Sequence, residues 1–257
     1  MSRTVVVTGA ASGIGRATAA LLTSRGDRVI GVDLRETDVC ADLSTPAGRS
    51  DAVAGVLSLA PTVDAVVACA GISGNSPGVV AINFFGVTEF VTGMLPALAG
   101  SSAPRVAVVA SSVAIHASDA ALGEACLAGD EEAAQKRAVE LEAEGHGRAI
   151  YPGSKGALAR WVRRESITDA WAGAGVALNA VGPGVVLTPM SAGLFDDPRM
   201  VAAMDGAVPM VLNGHQGPEV IASTLAFLVS EENSHITGQV IFCDGGAETV
   251  HRGSTVF

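Results

Sequence analysis

The stretch Thr-Val-Val-Val-Thr-Gly-Ala-Ala-Ser-Gly-Ile-Gly, residues 4–15, decides the fold of this 257-residue chain. Its β-branched beginning predicts a strand, and a helical pattern follows its last glycine. The glycines permit a tight turn and let a pyrophosphate approach the positive end of that helix. A plain tight turn would explain the glycines alone, but their position between a strand and a helix favours a dinucleotide site.

The order of patterns along the chain extends this unit into a whole domain. Short apolar, β-branched runs alternate with helical segments, which is typical of βαβ units around a buried parallel sheet. The sequence therefore predicts an α/β fold with a Rossmann-type doubly wound parallel sheet, in a single domain over residues 1–257. Strands are predicted at 4–8, 28–32, 39–41, 65–69, 105–110, 177–180 and 240–243, and helices at 14–24, 46–59, 83–98, 152–171 and 218–229.

Composition excludes several classes of protein. The formal net charge of −10 argues against a nucleic-acid-binding surface, which would be basic. No apolar run approaches the roughly 18 residues of a membrane span, and the chain enters a strand at once without a signal peptide. We therefore expect a cytoplasmic protein that binds no membrane. The cysteines have no metal-binding spacing, so no metal site is predicted; they are Cys40, Cys69, Cys126 and Cys243.

Asp33 ends the second predicted strand, twenty residues after Gly13. A carboxylate at this place binds the two hydroxyls of an adenosine ribose and repels a 2′-phosphate. Arg35 would favour that phosphate, but Ser12 stands before Gly13, where a second basic residue would be needed. A solvated acid at a strand end is the alternative. We expect NAD rather than NADP.

Tyr151 is the only tyrosine of the chain, in the stretch Tyr-Pro-Gly-Ser-Lys, and Lys155 is one of only two lysines. A spacing of four residues places both on one face of a helix. A nearby ammonium stabilises the phenolate and lowers the tyrosine pKa, which creates a proton donor and acceptor for a carbonyl/alcohol interconversion. Two surface residues at helical spacing are the alternative.

The motifs, taken in order, resemble the single-domain short-chain dehydrogenase/reductase family over essentially the whole chain. Each motif lies at the predicted strand end where that family has it. They are Gly9-x-x-x-Gly13-x-Gly15, Asp33, Asp42-Leu43, Ala70-Gly71, Asn83, Ser111-Ser112, Tyr151-x-x-x-Lys155, Pro183-Gly184 and Thr188. Within the family the chain looks most like the bacterial 3α-hydroxysteroid dehydrogenase/carbonyl reductase branch, because of a long insertion, the runs at 41–45 and 83–89, and its terminal phenylalanine.

This resemblance implies catalytic roles for four residues. Tyr151 would be the general acid/base, and Lys155 would hold the nicotinamide ribose and lower the tyrosine pKa. Ser112 would orient the substrate; it is preferred to Ser111 because a Val-Ala pair follows it. Asn83 would support a water-mediated proton relay, although a helix N-cap is its alternative interpretation.

The resemblance also implies an NAD site. Asp42 and Leu43 would flank the adenine, and residues 183–188 would hold the nicotinamide. One departure is Ala68-Cys69, where the family often has two asparagines, and it concerns stability more than chemistry. The residues predicted to bind the cofactor are Gly9, Ser12, Gly13, Ile14, Gly15, Asp33, Asp42, Leu43, Ala70, Gly71, Tyr151, Lys155, Pro183, Val186 and Thr188.

Between Ser112 and Tyr151 lie 38 residues, far more than the usual connection of about 2–6 residues. We predict a helical insertion over 113–150, with helices at 119–128 and 130–144. In the family, the helix of the active tyrosine forms a dimer interface. The insertion would cover that face, so that a homodimer uses another surface or the usual homotetramer is excluded. A solvated hairpin without a role in assembly is the alternative.

Residues 187–215 resemble the mobile substrate lid of the family. Four of the six methionines lie there, and flexible thioethers adapt to bulky apolar ligands, although ordinary packing of a long loop is the alternative. We therefore expect an NAD-dependent enzyme acting on an apolar alcohol or ketone, with a 3α-hydroxysteroid as the leading substrate. A reductase for another apolar ketone, such as a terpenoid or quinone, and a non-catalytic NADH sensor are the alternatives.

Overall fold

Seven parallel strands form the central sheet of the computed structural model, which describes residues 2–255. They are β1 Thr4–Thr8, β2 Arg28–Asp33, β3 Val39–Cys40, β4 Ala65–Ala68, β5 Arg105–Val109, β6 Ala177–Pro183 and β7 Val240–Cys243. Their spatial order is β3-β2-β1-β4-β5-β6-β7. The direction of winding reverses between β1 and β4, so a crevice opens at the carboxyl ends of these strands, where α/β proteins bind ligands.

Helices cover both faces of this sheet, and the predicted Rossmann-type fold is confirmed. The three central valines of β1 are fully buried, as their uninterrupted apolar run requires. The helices are α1 Gly13–Ser24, α2 Pro46–Leu59, α3 Gly78–Val80, α4 Val87–Gly93, α5 Leu95–Leu98, α6 Ala120–Ala128, α7 Glu131–Ala143, α8 Ile150–Glu165, α9 Pro198–Ala207, α10 Pro218–Leu228 and α11 Ala247–Arg252, with a π-helix at Ala81–Gly86 between α3 and α4.

Two predicted helices have different bounds in the structure. The helix expected to begin at Asn83 is already formed at Gly78, and Asn83 lies inside the π-helix, so its interpretation as an N-cap is wrong. The helix expected to reach residue 171 ends at Glu165. It ends there because the Ser166 and Thr168 hydroxyls donate hydrogen bonds to carbonyls of its last turn, at 3.2 and 2.8 Å.

The insertion consists of α6 and α7, as predicted. Asp119 and Asp130 cap the two helices, accepting hydrogen bonds from the amides of Leu122 and Ala133 at 2.8 and 2.9 Å. Gly129 between them has a φ of 74°, a left-handed conformation that glycine adopts without strain.

Both helices of the insertion pack on the domain. The apolar stripe of α7 (Ala134, Ala138 and Leu141) is almost fully buried in the main core, so a solvated hairpin is excluded. Helix α6 lies along α8, where Arg160 pairs with Glu124 at 2.8 Å. The insertion thus covers the face of α8 that the sequence led us to expect, and the consequence for assembly stays a prediction. Among residues 2–255, no helix has the length and apolar character needed to cross a membrane.

Candidate active site

A cavity of about 730 Å³ occupies the crevice at the carboxyl ends of the strands. All fifteen residues predicted to bind the cofactor line it. One side, formed by residues 9–15, 33–34, 41–44 and 69–72, is called here the cofactor wall. The opposite end lies under residues 187–215, the lid. Tyr151 and Lys155 lie on the same cavity wall, between these two ends of the chain's binding crevice.

The glycine turn fits a pyrophosphate. Gly9 has a φ of 68°, and a Cβ on it would lie 2.9 Å from the Ala70 amide nitrogen, so a side chain would fill the turn. Gly13 has a φ of 50°. Ser12, the N-cap of α1, makes no side-chain capping bond, and the first turn of α1 has no acidic residue. The free amides at this helix end are therefore suited to an anionic group.

Asp33 is fixed at the far end of the cofactor wall. One carboxylate oxygen accepts a hydrogen bond from the Ala11 amide at 3.0 Å, and the other accepts from the Leu34 amide at 2.7 Å. These bonds connect the end of β2 with the glycine turn. The carboxylate is held where a ribose hydroxyl would meet it, and where a second anionic group would be repelled.

Thr8 also supports the cofactor wall, although the sequence analysis did not select it. Its buried hydroxyl accepts a hydrogen bond from the Ala70 amide at 3.0 Å, which fixes the end of β4 beside the glycine turn. A threonine directly before the first glycine was the available signal, but its contact partner lies 62 residues away.

Tyr151 and Lys155 lie on the first turns of α8. The Lys155 ammonium is buried, donates to the Val109 carbonyl at 2.8 Å, and lies 6.0 Å from the centroid of the Tyr151 ring. Burial lowers the pKa of Lys155 to about 8.

The expected lowering of the tyrosine pKa is wrong for the protein without ligand. Burial raises the pKa of Tyr151, and a hydrogen bond with the Ser111 hydroxyl lowers it by a smaller amount. The reason is geometric, because the Lys155 ammonium is directed to a carbonyl of β5 and the phenol is desolvated without a compensating charge.

The two neighbouring serines have different environments. Ser111 lines the cavity, bonds to Tyr151, and caps a short 3₁₀ helix by accepting from the Val113 amide at 3.3 Å. Ser112 does not line the cavity, and its buried hydroxyl has no hydrogen-bond partner within the described part of the chain. The geometry therefore favours Ser111 over the predicted Ser112, because successive side chains at a strand end point in opposite directions.

Asn83 lies behind the cavity wall and not on it. Its side-chain amide donates to the Ile72 carbonyl and accepts from the Ile72 amide, both at 2.9 Å. A Cβ on Gly71 would lie 2.9 Å from the Asn83 oxygen and 3.7 Å from the Lys155 nitrogen, so glycine is required between them. Asn83 thus fixes the loop after β4 close to Lys155, and its role in a proton relay stays a prediction.

The lid end of the cavity is apolar. Met190, Leu194, Met204 and Val208 line it, together with Val113 from the opposite side. None of the lid residues on the wall carries a charge. This end of the cavity therefore offers no ion pair to a carboxylate or phosphate and is suited to an uncharged, apolar ligand.

No group of histidine, cysteine and acidic side chains within residues 2–255 is arranged to hold a metal ion. The chemistry of the site therefore rests on the phenol, the ammonium and the hydroxyl described above, together with whatever group the cofactor wall binds.

Comparisons with known proteins agree with this geometry. The sequence profile of the family described as enoyl-(acyl carrier protein) reductase matches residues 9–248. The 3-alpha-hydroxysteroid dehydrogenase/carbonyl reductase of Comamonas testosteroni is 37% identical over 253 residues, which cover 96% of this chain and 97% of that protein. The cis-4-hydroxycyclohexanecarboxylate dehydrogenase of Sinomonas cyclohexanicum is 31% identical and covers 96% of this chain and 97% of its own. The crystal structure of the 3-alpha-hydroxysteroid dehydrogenase from Pseudomonas sp. B-0831, complexed with NADH, superimposes with a TM-score of 0.88 at 39% identity, over 98% of this chain and 100% of that one.

Proposed function

Because the chain belongs to the short-chain dehydrogenase/reductase family and is an oxidoreductase acting on CH–OH groups, we propose that it interconverts a bulky apolar secondary alcohol and its ketone with NAD. The proposed substrate pair is a 3α-hydroxysteroid and the corresponding 3-oxosteroid. The observation that carries this proposal is the position of Tyr151, bonded to Ser111 between the cofactor wall and the apolar lid end of one cavity.

The chain's own residues supply the proton chemistry. When bound, a nicotinamide cofactor accepts a hydride from the alcohol carbon or returns it to the ketone. In the oxidation, Tyr151 takes the hydroxyl proton of the substrate, and Ser111 holds the same oxygen in place. Lys155, buried beside Gly71 and Val109, holds the cofactor ribose and stabilises the phenolate. The rate of oxidation is therefore expected to rise with pH as the phenolate forms.

Asp33 supports NAD in preference to NADP. Its two oxygens are already fixed by backbone amides on the cofactor wall, so the carboxylate cannot turn away from a 2′-phosphate. Leu34 follows it, half-exposed on the same wall, and brings no positive charge. The repulsion between two anions at such short range favours the cofactor that has a free 2′-hydroxyl.

The apolar lid end supports a steroid or another large hydrophobic substrate. The relatives from Comamonas and Pseudomonas are both named for 3-alpha-hydroxysteroids, and they match this chain over nearly its whole length. A terpenoid or quinone ketone has the same apolar character and is the second candidate. A sensor without turnover is disfavoured because it has no need of a buried phenol, ammonium and hydroxyl at one point.

Replacing Tyr151 by phenylalanine tests the assignment. Tyr151→Phe is expected to lower kcat by about 10²- to 10⁴-fold, because the proton acceptor is lost, while NADH still binds. Steady-state rates and a fluorescence titration with NADH measure the two effects. A variant that keeps its activity would overturn the mechanism, and a variant that loses NADH affinity together with activity would point to a merely structural role.

The sequence predictions for the cell and for assembly complete the proposal. We propose a cytoplasmic enzyme that assembles as a homodimer or homotetramer. The cover of α6 over α8 supports a homodimer that uses another surface.

A further inference from the structure

One arginine connects the insertion to the cofactor wall. The Arg49 side chain, on α2, is only 3% exposed and directs all its nitrogens to protein oxygens. A guanidinium so deeply buried must be neutralised and fully hydrogen-bonded, since an unpaired buried charge is strongly destabilising.

The first group of partners belongs to the cofactor wall. Arg49 donates from Nε to the Leu43 carbonyl at 2.9 Å and from Nη2 to the Ser44 carbonyl at 3.2 Å. Leu43 and Ser44 line the cavity. These bonds fix the backbone at 43–44, which the sequence analysis assigned to the adenine end of the cofactor.

The second group of partners is anionic. Glu89 on α4 accepts a single bond at 2.9 Å, and its side chain is 48% exposed. Glu131, the first residue of α7, accepts two bonds at 2.6 and 2.8 Å and is 25% exposed. A two-point carboxylate–guanidinium contact fixes orientation as well as distance. The stronger anchor of Arg49 therefore comes from the insertion.

Helix α7 reaches this point as a fixed element. Its buried stripe belongs to the same core as Phe84 and Phe85 of the π-helix, and Arg49 itself lies 5.9 Å from the centroid of the Phe85 ring. Arg49 also approaches the Ala81 carbonyl, where the π-helix begins, at 3.5 Å. The insertion, the cofactor wall and the helix that carries Asn83 thus meet at one side chain.

We propose that Arg49 and Glu131 are positioning residues for the cofactor, through which the insertion holds the adenine side of the cofactor wall in its binding conformation. This inference rests on the proposed cofactor site. It gives the insertion a function in every copy of the chain, whatever the state of assembly.

The test compares Glu131→Gln with Asp119→Asn. Glu131→Gln removes the charge that holds Arg49 and leaves the side chain's size unchanged. Asp119→Asn is the matched control, because Asp119 pairs with Arg137 at 3.0 Å inside the same insertion and does not reach the cofactor wall. Fluorescence titration gives the Kd of NADH, and calorimetry gives the Kd of ADP-ribose, which contains the adenine end alone.

Glu131→Gln is expected to raise both dissociation constants by about five- to tenfold, with kcat at saturating cofactor unchanged. Glu131→Asp, which keeps the charge on a shorter side chain, is expected to give a smaller rise. Asp119→Asn is expected to leave both constants at the wild-type value, even if its thermal midpoint falls. A folded Glu131→Gln with wild-type constants would overturn the inference, and so would an equal loss in Asp119→Asn. A wild-type protein that does not bind NADH would instead refute the proposed function.

Discussion

The cofactor wall and the lid face each other across one cavity, and they are built in opposite ways. On the cofactor wall, backbone amides, positive-φ glycines and a fixed carboxylate determine the position of nearly every polar atom. In the lid, helix α9 has no buried residue, and its end is held by a His215–Asp205 pair at 2.7 Å and by a bond between His251 and the Ala207 carbonyl at 2.9 Å.

This difference explains what each region recognises. Hydrogen-bonding groups in fixed positions select one ligand geometry, because a ligand that lacks the matching atom leaves buried polar groups unpaired. Apolar side chains on a loosely packed helix select only size and hydrophobicity. The structure therefore restricts the cofactor closely and the substrate only as a class.

The largest effect is expected where the two regions meet, at the two serines. Ser111→Ala removes the hydroxyl that contacts Tyr151 and should lower kcat by about 10²-fold, as loss of one positioned donor does in other sites. Ser112→Ala removes a buried hydroxyl without a partner and should leave both kcat and the free energy of unfolding close to wild type. Steady-state kinetics of the two variants separate them. The reverse result, with Ser112→Ala inactive, would restore the sequence prediction.

A smaller effect is expected at the far end of the cofactor wall. Asp33→Asn weakens the bonds to the ribose and removes the repulsion of a 2′-phosphate, so the ratio of kcat/KM for NAD over NADP should fall by about 10- to 100-fold. Asp38→Asn is the control, since Asp38 accepts from the Gly31 amide at 2.8 Å but does not line this cavity. An unchanged ratio in Asp33→Asn would mean that the wall does not select the cofactor through this carboxylate.

The smallest effect concerns the stability of the protein without ligand. The folded-state pKa of Lys155, about 8, lies below its ordinary value of 10.5, so the buried ammonium destabilises the folded state below pH 8. This cost diminishes as the pH rises from 8 to 10.5, where the unfolded chain also loses the proton. Lys155→Met should therefore raise the free energy of unfolding by about 1–3 kcal/mol at neutral pH, and less at higher pH. Urea unfolding at several pH values measures this difference, and a constant difference would contradict it.

The sequence was sufficient for the fold and for the cofactor wall because these depend on local signals. Glycine spacing, β-branched runs and an acid at a strand end directly specify backbone geometry, and the fifteen predicted cofactor residues line one cavity. The choice of Ser111 over Ser112 depends on how the chain leaves β5, which residue types do not reveal. The raised tyrosine pKa depends on burial, and the pairing of Arg49 with Glu131 joins residues 82 positions apart.

The most direct test of the account is the initial rate of NAD reduction, read from the absorbance of NADH, with a 3α-hydroxysteroid and with a polar secondary alcohol such as a sugar. The fixed cofactor wall predicts a higher kcat/KM with NAD than with NADP, and the apolar lid predicts a kcat/KM about 100-fold higher for the steroid than for the sugar. Efficient oxidation of the sugar, or a preference for NADP, would contradict the account.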